Sequence, residues 1–312
     1  MKVLLTGGSS FSGLWFARSL AAAGHSVVAP LTRGVSEYSG LRRERIAELA
    51  RVATLVENCR FGASRFIGLI AAESFDLLCQ HAARVTGYRN PNFDVAAAVA
   101  ENTNNLSPVL KTLADRGCVG VVVTGSVFEQ NEGTGDEPLR AFSPYGESKG
   151  LTWQRFREQC ESIGLTVGKF VVANPFGPYE EPRFCNYLVR SWQKGERAAV
   201  RTPLYVRDNI HVDLLAAAYA RFAAGIPARK GVCRINPSGY VESQGEFALR
   251  FAAAMKPRLG VACAVDLLEQ TDFAEPMVRR NTDPVDGAAL GWRESNAWDA
   301  IADFYRTWPA DN

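Results

Sequence analysis

The chain has 312 residues, 47% hydrophobic and 22% charged, which is ample material for a buried core and unlike a disordered or fibrous composition. Lys and Arg total 35 against 33 Asp and Glu, a net charge of +2 with no run of like charges, so neither a nucleic acid nor a membrane surface is an expected partner. Cys59, Cys79, Cys118, Cys160, Cys185, Cys233 and Cys263 form no CxxC pair and the 3 histidines stand at no metal-ligand spacing, which argues against a disulfide framework and a zinc site and for a soluble, cytoplasmic protein.

Strand-like and helix-like segments alternate from the start, as they do when crossover helices join parallel strands. Residues 2–6 read as a short buried strand, and 14–23 as a helix stopped by Gly24. Residues 26–31 form the second strand, and 54–56, 75–79, 119–124 and 165–172 supply further β-branched, apolar runs. Helices are expected over 95–116 and 146–162. The pattern predicts an α/β fold, a Rossmann-type doubly wound parallel sheet, over residues 1–173. After Asn174 the alternation breaks at Pro175, Gly177, Pro178 and Pro182, so residues 174–312 are expected to form a smaller C-terminal substrate lobe, with some segments returning to the sheet.

The first strand runs into Thr6-Gly7-Gly8-Ser9-Ser10-Phe11-Ser12-Gly13 and then a helix, the setting a dinucleotide fingerprint requires. Glycines permit a tight turn and close approach of the backbone, so that helix N-terminal amides face a pyrophosphate. Gly7, Ser10, Phe11 and Gly13 are therefore candidate cofactor ligands. The second strand ends in Leu31-Thr32-Arg33-Gly34, without the carboxylate that would receive the ribose hydroxyls of NAD. Thr32 and Arg33 suit a 2′-phosphate, because arginine offers a charged planar fork to phosphate oxygens. NADP is the expected cofactor and NAD the alternative; the bland reading of Arg33 is a solvated side chain.

Ser143-Pro144-Tyr145-Gly146-Glu147-Ser148-Lys149 enters the helix after the fifth strand. Tyr145 and Lys149 are one helical turn apart and share a face. A phenol of pKa about 10 is a poor base at neutral pH, and a neighbouring ammonium lowers it. Tyr145 can then exchange a proton with a substrate hydroxyl while a hydride moves.

These segments together resemble the extended short-chain dehydrogenases/reductases, the nucleotide-sugar epimerase/dehydratase family, well over residues 2–215 and loosely beyond. The glycine turn resembles that superfamily's TGxxGxxG, with Ser10 in place of the middle glycine; its Cβ is expected to hold a pyrophosphate farther off or its hydroxyl to bond to it. The resemblance implies that Thr124, within a segment similar to SSxxVYG, shares a hydrogen bond with the substrate hydroxyl, with Ser126 as the fallback. It puts His81-Ala82-Ala83 beside the nicotinamide ribose, His81 being better read as a packed histidine than as a base. It gives Asn102 a bracing role and Lys149 a bond to the ribose. Asn174 of Asn174-Pro175-Phe176-Gly177-Pro178 and Arg207 of Arg207-Asp208-Asn209-Ile210-His211-Val212-Asp213 resemble the family's diphosphate contacts. Arg279 is a weaker candidate of the same kind.

Family dehydratases carry Asp-Glu after the catalytic Thr, where this chain has Gly125-Ser126, so a 4,6-dehydration is not expected. The epimerase/reductase Cys is also absent. Ketone reduction at a sugar carbon with NADPH, or epimerisation through a transient ketone, remains. A non-sugar extended dehydrogenase and a non-catalytic dinucleotide sensor are the lower alternatives. The apolar content of the helices at 95–116 and 146–162 predicts a homodimer.

Overall fold

The computed structural model describes residues 1–135, 139–273 and 275–308. The chain first runs through β1 (Lys2–Thr6), α1 (Phe11–Ala22), β2 (Ser26–Pro30), α2 (Gly40–Leu49), β3 (Thr54–Val56), α3 (Ser64–Ala72) and β4 (Leu77–Gln80). There follow α4 (Val95–Asn102), α5 (Leu106–Asp115), β5 (Gly120–Ser126), β6 (Thr134–Gly135), α6 (Pro144–Ser162), β7 (Thr166–Val172), β8 (Asn174–Phe176), α7 (Phe184–Gln193), β9 (Ala198–Val200) and β10 (Val206–His211). The remainder is α8 (Val212–Ala224), β11 (Val232–Ile235), β12 (Pro237–Ser238), β13 (Tyr240–Ser243), α9 (Gln244–Leu259), β14 (Val265–Leu267), β15 (Val278–Arg280), β16 (Asp283–Pro284) and α10 (Glu294–Thr307).

The chain divides into two units. The first comprises Met1–Glu132, Arg140–Val172 and Ala216–Asn236. Its seven strands pair in the order β11-β7-β5-β4-β1-β2-β3, every pair parallel. The order reverses beside β1, so this is a doubly wound, Rossmann-type sheet whose ligand crevice is expected at the carboxyl ends of β1 and β4. Such strands are covered on both faces and read as continuous apolar runs: Val3, Leu4 and Leu5 are all fully buried. On one face Leu78, Val121 and Val123 pack with Phe66, Val109, Leu113 and Phe156. On the other, Phe16 of α1 stacks on Tyr219 of α8, centroids 3.9 Å apart, and meets Phe170 of β7 edge-on.

Residues 95–116, expected as one helix, form two. Thr103, Asn104 and Asn105 separate them, with Asn105 in the left-handed region at φ 49° and its side-chain amide donating to Gly62 O (2.8 Å). The apolar side chains that motivated the homodimer are largely spent on the unit's own core: Leu106, Val109, Leu110, Leu113, Phe156 and Cys160 are buried there. The exposed positions of α6 are Glu147, Leu151, Gln154, Arg155, Arg157, Glu158, Glu161 and Ser162, mostly polar.

The second unit comprises Gly133–Leu139, Ala173–Leu215 and Pro237–Asn312. Its largest sheet runs β13-β10-β15-β6, with β8 also on β10. Phe176, Trp192, Phe247, Phe251 and Trp298 build its core. Residues 216–236 thus belong to the first unit and 133–139 to the second. No helix among the described residues is long and apolar enough to cross a membrane, and no three His, Cys, Asp or Glu side chains among them gather as a metal site would require.

Candidate active site

The glycine turn is held from behind by β4. Thr6 Oγ1 accepts from the backbone N–H groups of His81 (3.1 Å) and Ala82 (3.0 Å). Gly7 adopts φ +73°, and a Cβ there would stand 2.8 Å from Ala82 N; a Cβ on Gly13 would stand 2.2 Å from Gly7 O. Both glycines are thus required for the turn to close on the helix and the neighbouring strand. Phe11 and Ser12 open α1, so their backbone N–H groups have no intrahelical acceptor and are available to an anion. These features fit a dinucleotide pyrophosphate.

Ser10 departs from the expectation. Its backbone N–H donates to Gly7 O (3.0 Å). Its hydroxyl donates to the same oxygen (2.8 Å), accepts from Gly13 N–H (3.1 Å) and lies 3.0 Å from His81 Nε2. As the N-cap of α1, Ser10 turns its polar atoms into the protein, not toward a ligand. The same geometry defines His81. Its Nε2 also meets Ser12 Oγ (3.1 Å), its Nδ1 meets Thr124 Oγ1 (3.1 Å), and its ring packs edge-on against Phe16. Burial, with the nearby Lys149 charge, pulls its pKa down to about 3. His81 therefore acts as a neutral clasp joining the phosphate turn, β4 and the end of β5. Ala82 and Ala83 follow it as half-buried loop residues.

At the end of β2, Leu31 is buried and Thr32 and Arg33 are exposed. Thr32 Oγ1 shares a hydrogen bond with Tyr38 OH (3.2 Å), and Arg33 lies 4.7 Å over the Tyr38 ring. Sequence reading missed Arg42, on α2, which lies 5.3 Å from the same ring and donates through Nε and Nη2 to Ser9 Oγ. Two exposed guanidiniums thus flank one buried tyrosine. Neither has a carboxylate partner among the described residues. The carboxylates of Glu37 and Glu57, also missed, receive Gly34 N–H and Val35 N–H (2.8 Å each) in the same loop.

Helix α6 begins at Ser143, whose hydroxyl accepts from Gly146 N–H (3.2 Å), with Pro144 in its first turn. Gly146 lets the helix start against Phe128: a Cβ would stand 2.2 Å from Phe128 O. Tyr145 is half-buried, its ring edge-on to Tyr88 (5.6 Å) and Phe93 (6.1 Å). Lys149 is 5% exposed. Burial drives its pKa down to about 8, Lys169 adding to the fall and Glu129 opposing it. Thr124 is buried with its hydroxyl on His81, and Ser126 Oγ accepts from Phe128 N–H (3.2 Å). Asn102 accepts from Arg84 N–H (2.8 Å) and donates to Thr152 of α6 (3.2 Å), bracing the loop after His81 against that helix.

In the second unit β10 pairs in register with β8 and β15, Asn209 opposite Asn174 and Arg207 opposite Arg279. Residues in register point to one face, so these four side chains form a polar stripe across three strands. Asn209, not anticipated from the sequence, is buried with its Nδ2 unpartnered. Arg207 donates to Val206 O, Pro276 O and Met277 O and pairs with Glu275 (2.7 Å), not with Asp208 or Asp213.

A parallel doubly wound sheet, a glycine turn opening α1, and a tyrosine and buried lysine one turn apart on α6 define a dinucleotide-binding enzyme of the short-chain dehydrogenase build. The model of the NAD dependent epimerase/dehydratase family matches residues 3–231, and the chain belongs to that family. No curated protein matches it. Among solved structures, UDP-glucose 4-epimerase from Thermotoga maritima with UDP-glucose is 16% identical, covering 98% of this chain and 99% of that one, at a TM-score of 0.70. UDP-glucuronic acid 4-epimerase from Bacillus cereus, with UDP-glucuronic acid and NAD, is 17% identical over 98% and 99% of the two chains, TM-score 0.71. The dTDP-glucose 4,6-dehydratase from Streptomyces venezuelae, with NAD bound, is 20% identical over 98% and 97%, TM-score 0.69. At these identities the likeness is one of fold.

Proposed function

We propose that the protein is a nucleotide-sugar oxidoreductase, reducing a keto-sugar carried on a nucleoside diphosphate with NADPH. The observation that carries the reading is the placement of Tyr145 one helical turn before the buried Lys149 on a helix of this fold. A nicotinamide dinucleotide held in this fold would supply the hydride. Tyr145 gives a proton to the developing alkoxide at its phenol oxygen, Lys149 stabilises the tyrosinate by its positive charge, and Thr124 or Ser126 orients the substrate oxygen. Gly7, Phe11, Gly13 and the loop of His81, Ala82 and Ala83 would hold the dinucleotide, with Lys149 at the ribose. Thr32, Arg33 and Arg42 would receive a 2′-phosphate. Asn174, Arg207 and Arg279 are assigned to the substrate diphosphate, a role in which Arg207 exchanges Glu275 for a phosphate.

Dehydration is disfavoured by sequence, and a side chain at residue 125 would also require Lys169 to shift, since a Cβ on Gly125 would stand 2.7 Å from Lys169 Cε. Epimerisation with NAD is the second reading, favoured by the carboxylates of Glu37 and Glu57 beside the β2 loop. A homodimer rests on the family resemblance and the apolar content of the helices at 95–116 and 146–162, and a cytoplasmic setting on the sequence composition. The test is incubation with a panel of UDP-, dTDP- and GDP-linked keto-sugars and NADPH, following absorbance at the nicotinamide band, with NMR of the parent sugars in parallel. Consumption of NADPH with a keto-sugar supports reduction. Inversion of a parent sugar without net cofactor change replaces it with epimerisation.

A further inference from the structure

Between the glycine turn and the end of β5 the polar atoms form one unbroken chain, and counting their hydrogens fixes its direction. Ser10 Oγ stands 2.8 Å from Gly7 O, an acceptor with no hydrogen of its own, so the hydroxyl hydrogen lies between the two oxygens. The same hydroxyl oxygen accepts from Gly13 N–H (3.1 Å), which leaves one lone pair, and that lone pair meets His81 Nε2 at 3.0 Å. Nε2 therefore carries a hydrogen, which Ser12 Oγ shares at 3.1 Å. The ring is enclosed by Phe16, Ser10, Ser12 and Thr124, no carboxylate among the described residues bonds to it, and burial holds it neutral. A neutral imidazole with its hydrogen on Nε2 has a bare Nδ1, which is an acceptor. Thr124 Oγ1, 3.1 Å away, is then the donor. The Tyr219 hydroxyl, the other polar group beside Thr124, lies outside hydrogen-bond geometry and does not compete for that hydrogen.

We propose that Ser10 and His81 are positioning residues that commit the Thr124 hydrogen to His81 Nδ1, so that Thr124 meets a substrate only as an acceptor and Ser126 is the hydroxyl left to donate to a ketone oxygen. The proposal rests on the reading of the chain as a hydride-transfer enzyme, and it separates two roles that Thr124 and Ser126 otherwise share. A ketone oxygen has lone pairs alone and gains nothing from an acceptor, whereas the product alcohol has a hydrogen to give. Thr124 thus serves the alcohol. Ser126 is built the other way. Its Oγ accepts from Phe128 N–H (3.2 Å), its backbone N–H is held by Glu129 Oε1 (2.7 Å), and its hydroxyl hydrogen has no acceptor among the described residues. In the glycine turn that this chain resembles, the place of Ser10 is a glycine, which has no hydroxyl to hold Nε2. With the serine present every donor points from the substrate side toward the turn: Thr124 to His81, His81 to Ser10, Ser10 to Gly7. Each bond in such a chain polarises the next.

With only 3 histidines in the chain, the hydrogen can be read directly by long-range proton–nitrogen NMR of cofactor-free full-length protein labelled at the histidine ring nitrogens. The His81 signals are assigned by their loss in His81→Asn or, should that variant not fold, by elimination through His25→Gln and His211→Asn. Wild type is expected to show Nε2 protonated and Nδ1 bare; a protonated Nδ1 overturns the proposal. Ser10→Gly combined with Ser12→Ala deprives Nε2 of both acceptors, so a protonated Nδ1 should appear, and an unchanged spectrum in folded protein also overturns it. Ser10→Gly alone is read the same way should the pair not fold. In turnover, Thr124→Val should weaken the product alcohol more than the keto-sugar and Ser126→Ala the keto-sugar more than the alcohol, each difference about 3- to 10-fold, the worth of one neutral hydrogen bond. Equal or reversed differences count against the proposal in the same way. The spectrum needs no substrate. Nε2 protonated in a protein inactive on every nucleotide sugar upholds the direction of the chain and discards the proposed substrate class, whereas Nδ1 protonated in an active enzyme discards the proposal and leaves the function standing.

Discussion

Tyr145 and Lys149 were legible in the sequence because their relation is local: a four-residue spacing on a helix fixes a shared face whatever the rest of the chain does. The chemistry asked of them is testable at the same scale. Tyr145→Phe removes one hydroxyl and keeps the ring against Tyr88 and Phe93, so turnover should fall by about 10²–10⁴-fold while cofactor affinity stays near wild type. More than about a tenth of wild-type kcat under chemistry-limited conditions would rule the phenol out as the proton donor. The lysine sets a pH limit. Its pKa is depressed to about 8, so the ammonium is present below that pH and is lost as pH rises through it. Activity is therefore expected to decline on the alkaline side of about 8 in a pH–rate profile, well below the range of an ordinary lysine. Glu129, Arg42 and Asn209 were not legible, because each acts on a partner far along the chain: Lys169 for the first, Ser9 for the second, the strands β8 and β15 for the third. The only local signal was Glu129 standing in a glycine's place.

At the scale of elements, the first six strands of the parallel sheet were readable to within a few residues because strands buried on both faces carry runs of Val and Leu, whereas β11, with Cys233 and Arg234 inside it, was not. The break between α4 and α5 was not, because the interruption at Thr103-Asn104-Asn105 is imposed by a distant partner: Asn105 takes a left-handed conformation and its side-chain amide reaches Gly62 O. The turn into α1 was legible as a motif but not in its details. Ser10 occupies the glycine position and serves as helix cap, so Ser10→Ala should cost about 0.5–2 kcal/mol of stability in chemical denaturation. Cofactor Kd should change little, and a large loss of affinity at unchanged stability would restore the hydroxyl as a pyrophosphate ligand. The loop after β2 makes the complementary prediction. Arg42→Ala removes a charged donor that already lies beside Ser9, and calorimetry should find NADP binding weakened roughly 10- to 100-fold with NAD binding unchanged. Equal losses for both cofactors would assign Arg42 to the shared pyrophosphate or to the fold, and the 2′-phosphate reading would fail.

For the whole molecule, buried titratable groups decide how stability depends on pH, and they pull in opposite directions. His81 and His211 both ionise at 6.5 when unfolded but only near 3 in the fold, because burial disfavours the imidazolium. Their contribution is complete above pH 6.5 and drains away as pH falls toward 3, since only the unfolded chain takes up the protons. Glu180 has the opposite sign. Buried, and held by the N–H groups of Gly177 (3.3 Å) and Asn186 (3.0 Å), it keeps its proton up to about 8 against 4.5 when unfolded. Its contribution is complete below 4.5 and is lost as pH climbs to about 8. Between 4.5 and 6.5 the two kinds of group oppose one another, His25 adding to the histidines and Glu129 and Asp208 to the carboxyl, and above 6.5 the buried carboxyls act without the histidines. Stability should therefore decline from pH 6.5 toward 8, with slopes no steeper than about 1.4 kcal/mol per pH unit for each net proton. Urea denaturation at intervals from pH 4 to 8 measures the curve, with far-UV and tryptophan signals compared because two units need not unfold together. Glu180→Gln preserves the shape of the side chain and removes the titration. This variant should hold its stability from pH 6.5 to 8 where the parent declines, and a parallel decline in both proteins would show that some other group governs the alkaline side.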